Sequence, residues 1–185
     1  CSQGVEIIHS AQKGQSFIKN LFSTGIRLST SLRGDRQWGS VVIQEYLPEA
    51  VEWRVIKIDE SYFGYMKLKV GNYASGSHAG IYGAVPRVLL DLIRKISEKH
   101  NFMSLSLDVL LNPDGFPYII EVQSIFGDTY DPRKLRVEGK AGRYRYDCTI
   151  DEYVFEEGLF DQNICCNLRV KYVLKLLEGK KEASN

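Results

Sequence analysis

The chain has 185 residues, which is enough for one domain with a hydrophobic core or for one large lobe with an appendage. Its 24 basic and 23 acidic residues nearly cancel, so composition argues against a nucleic-acid partner and against a polybasic membrane contact. No apolar run approaches the roughly 18 residues that a membrane-spanning helix needs. The four cysteines form no CxxC pair, which favours a reduced, cytoplasmic setting.

The first 48 residues predict two strands and a helix. Residues 5–9 favour a short strand. Ser10 is a suitable N-cap for a helix over residues 11–23, whose apolar residues recur at helical spacing. The apolar run 40–47 predicts a buried strand that ends at Pro48.

The next segment predicts a strand pair, a loop and a helix. Residues 52–58 and 61–70 favour strands on either side of a tight turn. Residues 71–85 contain four glycines and predict a long loop. A helix begins at Pro86, because proline suits the first turn, and it runs to about His100.

A second strand pair follows that helix. Residues 112–115, Asn-Pro-Asp-Gly, are strong turn formers, and the segments 104–111 and 118–123 on either side favour strands. The simplest register gives the cross-strand pairs Asn112–Pro117, Leu111–Tyr118 and Asp108–Glu121. One face then carries Ser106, Asp108, Leu110, Ile119, Glu121 and Gln123. The other face carries Leu105, Leu107, Val109, Ile120 and Val122, and we expect it to pack on a core.

The facing acids Asp108 and Glu121 need a compensating charge. Two carboxylates directly opposed on neighbouring strands lie roughly 5 Å apart and repel each other. A shared proton, a nearby cation or a bound metal would offset the repulsion. Gln123 adds a carbonyl oxygen on the same face, and three oxygen donors suit a hard cation such as Mg2+. A solvated sheet face that tolerates an acid pair is the alternative, and spacing alone favours neither.

The last third of the chain is less regular in pattern. Residues 127–157 are charged and rich in tyrosine and predict no defined element, whereas residues 163–177 favour a final helix. The tail after this helix is expected to fray. Strands pair as hairpins rather than alternating with helices, so the class prediction is α+β.

Three basic residues are candidate partners for the phosphate that usually accompanies such a metal. Lys67 and Lys69 share a face of one predicted strand, and Arg54 lies on the strand before it. Together with the glycine-rich loop they suit a phosphate group, although paired lysines on a strand are most often a solvated face. No P-loop or Rossmann glycine pattern is present.

In this order the elements resemble those of the ATP-grasp family, from the first residue to about Gly127. The similar stretches are SQGV (2–5), VVIQEYLPEAVEWRV (41–55), MKLKVGNYASGSHAG (66–80) and DVLLNPDGFPYIIEVQSIFG (108–127). The resemblance implies two α+β lobes with antiparallel sheets that grip a nucleotide. It further implies that an upstream, N-terminal part of the fold is missing from this chain.

The resemblance implies a division of the chain. Residues 1–127 would be the C-terminal part of an ATP-grasp domain, with 1–47 in the smaller lobe and 48–127 in the larger lobe. Residues 128–185 would be an extension that ends in a helix. The ASGS stretch is similar to a poorly characterised branch of the family, often linked to surface-polysaccharide or secondary metabolism.

The resemblance also implies a role for each site residue. Backbone groups of Glu45 and Leu47, with Gln44 alongside, would hold the adenine, and Glu52 would accept from the ribose hydroxyls. Arg54 and Lys67 would act on the phosphates or the reaction intermediate, with Lys69 as a further phosphate contact. Asp108, Glu121 and Gln123 would bind Mg2+, or Mn2+ in its place, against the phosphates of ATP.

Three residues depart from the family pattern. Gln123 stands where the family has asparagine, and Ala74 and Gly76 stand where many relatives have arginine and asparagine. The leading hypothesis is an ATP- and Mg2+-dependent ligase that activates a carboxylate as an acyl-phosphate for attack by an amine or similar nucleophile. The departures favour a nucleotide-binding module without turnover, and the same scaffold also suits a small-molecule kinase. The expected partners are a small-molecule carboxylate and a nucleophile, with no nucleic acid or membrane, and a homodimer is allowed.

Overall fold

A computed structural model describes residues 5–27, 34–69, 80–81, 83–124, 126, 136–137, 139–160, 163 and 165–182. The helices in these ranges are α1 (Ala11–Ser23), α2 (Arg87–His100) and α3 (Cys166–Glu182). The strands are β1 (Ile26–Arg27), β2 (Arg36–Gln37), β3 (Val51–Ile58), β4 (Ser61–Lys67), β5 (Gly80–Ile81), β6 (Ser104–Leu111), β7 (Pro117–Gln123), β8 (Arg136–Val137), β9 (Lys140–Asp147) and β10 (Glu152–Glu157). Every strand pairing among them is antiparallel, which confirms the α+β class.

The chain divides into two compact units, residues 1–48 and 49–185. The first unit contains α1 and the short β1–β2 pair. Helix α1 has the predicted bounds, and the Ser10 hydroxyl oxygen accepts the backbone N–H of Lys13 at 3.3 Å. That bond satisfies one of the free N–H groups at the helix start, as an N-cap should.

Two predicted strands of the first unit are wrong. Residues 5–9 and 40–47 have no regular secondary structure. The side chains of Val42 and Ile43 are 83% and 76% exposed, although both were expected to be buried. A strand needs backbone hydrogen bonds from a neighbour, and no described strand pairs with either segment.

The second unit is built on one large sheet. Among the described strands the order is β10-β9-β4-β3-β6-β7, with β5 beside β4 and β8 beside β9. The β3–β4 hairpin turns at Asp59 and Glu60, as predicted, and Asp59 takes a left-handed backbone conformation there. Strand β4 ends at Lys67, earlier than the predicted residue 70.

Both faces of this sheet are covered by a helix. Leu89, Leu90 and Ile93 of α2 pack on one face against Val55, Leu105, Leu107, Val109 and their neighbours. On the other face Cys165 packs with Ile56, Ile58, Phe63, Tyr65 and Phe126, and Leu168 of α3 lies against this group. Because side chains alternate along a strand, β3 contributes to both layers. Because a helix covers each face, nearly all side chains of β3 are at least partly buried.

The β6–β7 hairpin has a shorter turn than predicted. Leu111 pairs with Pro117 rather than Tyr118, and Gly115 adopts a φ of 80°, which glycine tolerates without strain. The register then shifts by one residue at Ile120 and returns to the predicted value, so Asp108 does face Glu121. Such an extra residue on one strand is a β-bulge.

The outer side of this hairpin differs from the prediction. Leu105, Leu107 and Val109 are fully buried as expected, but Ile120 and Val122 are 37% and 54% exposed. Strand β7 is the last described strand on that side of the sheet. The prediction that these two residues pack on a core is therefore wrong.

The C-terminal third contains more order than the sequence predicts. Strands β9 and β10 form a hairpin within residues 127–157, and β9 joins the main sheet through the pair Tyr62–Tyr144. Helix α3 starts at Cys166 and continues to Glu182, so its predicted bounds of 163–177 are three residues early and five short. None of the described helices is both long enough and apolar enough to cross a membrane.

Candidate functional site

The central strands of the second unit bring four charged residues together. The antiparallel register pairs Glu52 with Lys67 across β3 and β4, and it pairs Arg54 with Asp108 across β3 and β6. All four side chains point to the face that carries the Ile56 and Phe63 layer, because they alternate with residues of the opposite layer. We call Glu52, Arg54, Lys67 and Asp108 the ion-pair cluster.

Asp108 is the centre of this cluster. Arg54 donates from Nε to Asp108 Oδ1 and from Nη2 to Oδ2, both at 2.7 Å, so the guanidinium binds the carboxylate in a bidentate manner. The Lys67 ammonium donates to Asp108 Oδ2 at 2.7 Å and to Glu52 Oε1 at 2.6 Å. Charge-assisted hydrogen bonds of this length are strong ones.

The cluster is largely shielded from solvent. The exposed fraction of each side chain is 3% for Asp108, 7% for Glu52, 11% for Lys67 and 17% for Arg54. Burial alone would raise the pKa of Asp108, but the hydrogen bonds and charges of Arg54 and Lys67 outweigh burial and hold that pKa below its usual value. Asp108 is therefore a carboxylate at neutral pH.

Glu121 and Gln123 lie beside the cluster on β7. The bulge at Ile120 restores the register that sets Glu121 opposite Asp108 and Gln123 opposite Ser106. Glu121 is exposed and Gln123 is half-buried. Within the described residues, Glu121 makes no ion pair. Its exposed carboxylate thus belongs to the residue directly opposite Asp108, whose own carboxylate is shielded from solvent.

The metal hypothesis can be compared with this donor set. Asp108, Glu121 and Gln123 offer the oxygen donors that a hard divalent cation prefers. Asp108 has about four acceptor positions as a carboxylate, and three of them take hydrogen bonds from Arg54 and Lys67. One acceptor position, on Oδ1 of Asp108, takes no hydrogen bond from Arg54 or Lys67. The oxygen donors of the three residues are of the type that a divalent metal ion binds. In the described part of the chain, no three His, Cys, Asp or Glu side chains form a metal-binding group by themselves.

The other predicted site residues are not members of the ion-pair cluster. Gln44, Glu45 and Leu47 belong to the first unit, where they have no regular secondary structure. Lys69 belongs to the second unit, beyond the end of β4, and is exposed. Ala74 and Gly76 lie outside the described residues, so their predicted effect stays a prediction.

Sequence reasoning named each member of the cluster but missed one contact. Glu52 was assigned to a ribose, whereas in the structure it accepts a hydrogen bond from Lys67. The Asp59–Glu60 turn carries the missing signal, because it pairs Ile58 with Ser61 and thereby sets Glu52 opposite Lys67. The ribose contact stays a prediction.

A surface pocket near α2 is separate from this site. It is lined by Arg87, Val88, Asp91, Leu92, Lys95 and Pro117. These residues lie at α2 and the start of β7, and α2 covers the opposite face of the sheet from the cluster. The pocket therefore does not contain the ion-pair cluster.

Comparisons with known proteins give little beyond this geometry. No family model matches the chain, and no curated protein matches it. The crystal structure of macrocyclase MdnB from Microcystis aeruginosa MRC matches with 16% identity and a TM-score of 0.36, over 64% of this chain and 37% of that chain. The crystal structure of macrocyclase MdnC bound with precursor peptide MdnA, from the same organism, matches with 16% identity and a TM-score of 0.39, over 70% of this chain and 50% of that chain. The chain thus spans half or less of either macrocyclase, and similarity at this level carries no argument about its activity.

Proposed function

We propose that the chain is part of an ATP-grasp ligase that uses ATP and a divalent metal. In the reaction, a carboxylate oxygen of the substrate attacks the γ-phosphorus of ATP, and ADP leaves. An amine or similar nucleophile then attacks the acyl carbon of the acyl-phosphate, and inorganic phosphate leaves. This chemistry needs positioned cations rather than a protein nucleophile.

One observation carries the proposal: a carboxylate holds Arg54 and Lys67 side by side at the centre of a sheet, next to a second carboxylate. Asp108 fixes both cations through hydrogen bonds of 2.7 Å. A guanidinium and an ammonium held in fixed positions can neutralise the charge that builds up on a transferring phosphoryl group. The sequence resemblance implies that the same two cations act on the phosphates or the reaction intermediate.

The metal would be held by Asp108, Glu121 and Gln123, and Mg2+ would neutralise negative charge on the phosphates of ATP. Glu121 is the exposed member of this set. The adenine would be held by the residues that the resemblance implies, Gln44, Glu45 and Leu47.

The proposal is tested by calorimetry with ATP, with and without Mg2+, on the wild-type chain and on Asp108→Asn/Glu121→Gln. We expect Mg2+-dependent binding that the double variant loses while circular dichroism shows that it is still folded. A screen for ADP release with small-molecule and peptide carboxylates follows. Product analysis then separates a ligase from a kinase, because an amide product requires a second substrate and a phosphate ester does not. Binding that is equally strong without the two acids would contradict the metal assignment.

A second candidate, a nucleotide-binding module without turnover, is favoured by Gln123. Its side chain is one methylene longer than the asparagine of the family pattern, so the amide oxygen lies farther from the backbone. Metal-dependent binding of ATP without ADP release, across the whole screen, would support this candidate over the ligase.

A further inference from the structure

Helix α3 has two apolar faces, and one of them is exposed. Four of its apolar side chains are 45% to 57% exposed: Val170, Val173, Leu174 and Leu177. Their spacing of i, i+3, i+4 and i+7 places them together on one face of the helix. We call these four residues the outer stripe. Single exposed apolar residues are ordinary on protein surfaces, whereas a contiguous stripe marks a contact surface.

The outer stripe is not the face that holds α3 on the sheet. Leu168 packs on the buried layer beneath the helix, and Arg169 and Tyr172 are half-buried beside it. Arg169 donates from Nε to Ser104 Oγ at 3.2 Å, and its guanidinium lies 4.3 Å from the centre of the Phe126 ring. Successive residues of an α-helix turn by about 100°, so the outer stripe lies roughly opposite these inward-facing residues. A helix that is apolar on opposite sides is typical of a helix with a cover on both sides.

Charged residues beside the outer stripe make it complementary to a second copy of itself. Lys171 and Glu178 are both exposed and lie seven residues apart, so they share one flank of the stripe. When two α3 helices pack antiparallel about a two-fold axis, Val170 of one copy lies opposite Leu177 of the other. Each Lys171 is then within about one helical turn of Glu178 of the other copy, and two equivalent ion pairs form. In a parallel pair this flank faces the opposite flank, and the two residues do not meet.

We propose that the outer stripe is the contact surface between two copies of this chain, which pair through antiparallel α3 helices. Such an interface uses the same patch on both copies, as in most two-fold dimers. The four residues span about 11 Å of helix, so the buried area belongs to the small class, below about 1,200 Å2, that gives weak and transient association. We expect a dissociation constant on the order of 10–100 µM. The inference goes beyond the proposed function, because none of these residues is a member of the ion-pair cluster.

Sedimentation of the full 185-residue chain from about 5 to about 500 µM measures the association directly. We expect a monomer at the lowest concentration and a dimer at the highest. Leu174→Glu places a charge at the centre of the stripe and should raise the dissociation constant at least about tenfold. Val154→Glu is the matched control, because it makes the same change on β10 at an apolar side chain that is 48% exposed. The control should change the dissociation constant less than about twofold.

Charge exchange tests the antiparallel direction without altering the apolar residues. Lys171→Glu sets two acids against each other across the interface, and Glu178→Lys sets two cations against each other. Each variant alone should dimerise about fivefold more weakly than the wild type. An equimolar mixture of the two variants should associate as strongly as the wild type, because both ion pairs form again between unlike copies. Circular dichroism verifies that every variant is folded.

Each outcome supports or overturns the inference. A wild type that stays monomeric to about 500 µM overturns it, since the stripe then serves another partner. A dimer that persists in folded Leu174→Glu forms elsewhere on the chain and overturns it as well. If Leu174→Glu does not fold, the charge exchange decides, and variants that gain nothing from mixing exclude the antiparallel pair. Failure to bind ATP contradicts the proposed function alone and leaves the dimer standing.

Discussion

At the residue scale, the position of Asp108 explains why two cationic side chains can lie on a shielded face of the sheet. Its carboxylate on β6 reaches Arg54 on the neighbouring strand and Lys67 on the strand after that. Buried charges are stable in proteins only when they are paired and hydrogen-bonded. Asp108 supplies both conditions for two side chains at once, so it is the residue on which the geometry of the cluster depends.

Replacement of Asp108 by asparagine should be strongly destabilising. Asp108→Asn keeps the shape but removes the charge, and Arg54 and Lys67 then have one carboxylate fewer. Breaking a buried pair in this way costs about 3–5 kcal/mol, and urea unfolding followed by circular dichroism measures the change in the free energy of unfolding. Asp114→Asn, at the exposed turn of the same hairpin, should cost less than about 0.5 kcal/mol. Equal costs for the two variants would show that Asp108 does not anchor the cluster.

The same carboxylate predicts how stability depends on pH. The pKa of Asp108 is lowered in the folded chain, although burial opposes this, whereas an unfolded aspartate has a pKa of about 3.9. The folded state therefore binds the proton less tightly than the unfolded state, and the stabilisation is fully present above the unfolded pKa. It is lost as the pH falls through the lower, folded value.

Comparison with Asp108→Asn isolates this contribution. We expect the wild type to lose stability between pH 5 and strongly acidic pH more steeply than the variant does, because the variant lacks the titrating group. The measurement is the urea midpoint at a series of pH values from about 5 downwards. Parallel curves for the two proteins would contradict a lowered pKa at this site.

At the element scale, Gly142 on β9 allows the hairpin with β10 to form. A Cβ atom at this position would overlap the ring of Phe155 and the backbone oxygen of Glu156. Neither the strand backbone nor a ring packed against Tyr144 can move aside at low cost. We expect Gly142→Ala to lower the free energy of unfolding by about 1–3 kcal/mol, as overpacking does elsewhere.

Gly179 is the matched position where the same change should not destabilise the chain. It lies in α3, where an added Cβ meets no atom within 4 Å. Alanine favours a helix interior over glycine by about 1 kcal/mol, so Gly179→Ala should stabilise the chain or leave it unchanged. Thermal unfolding of both variants measures the difference. A gain in stability from Gly142→Ala would contradict the packing of the β9–β10 hairpin.

Local signals in the sequence were sufficient for some elements and insufficient for others. The cap at Ser10 defines α1, and turn chemistry defines the β3–β4 hairpin, because both depend on neighbours within a few residues. The bulge at Ile120 has no such signal, since it compensates for a turn one residue shorter than expected. The exposed segment 40–47 has the composition of a strand, but composition does not supply a pairing partner.

The same division applies to the candidate site. The identities of Asp108, Glu121, Arg54 and Lys67 follow from acid spacing, strand alternation and family resemblance. The facing of Asp108 and Glu121 is local to one hairpin, but the contacts of Asp108 with Arg54 and Lys67 required knowledge that β3 lies between β4 and β6, and this order is a long-range property of the sheet. Contacts across three strands therefore could not be assigned from any local pattern.

At the scale of the whole molecule, burial is distributed very unevenly between the two units. Both hydrophobic layers, the ion-pair cluster and the large sheet lie within residues 49–185. Among the described residues of the first unit, Leu21 is the only apolar side chain counted as core. Since burial of apolar surface is the main favourable term in folding, the second unit holds nearly all of the stabilisation that the structure displays.

This distribution predicts that residues 49–185, expressed alone, fold cooperatively. We expect a single urea transition with a midpoint close to that of the full chain, and α2 and the central strands should be protected in amide hydrogen exchange. Residues 1–48, expressed alone, should show no cooperative transition, because the one leucine that is buried among their described residues cannot offset the conformational entropy lost on folding. If residues 49–185 prove to be unfolded while the full chain is folded, the first unit must contribute stabilisation that its own described core does not account for.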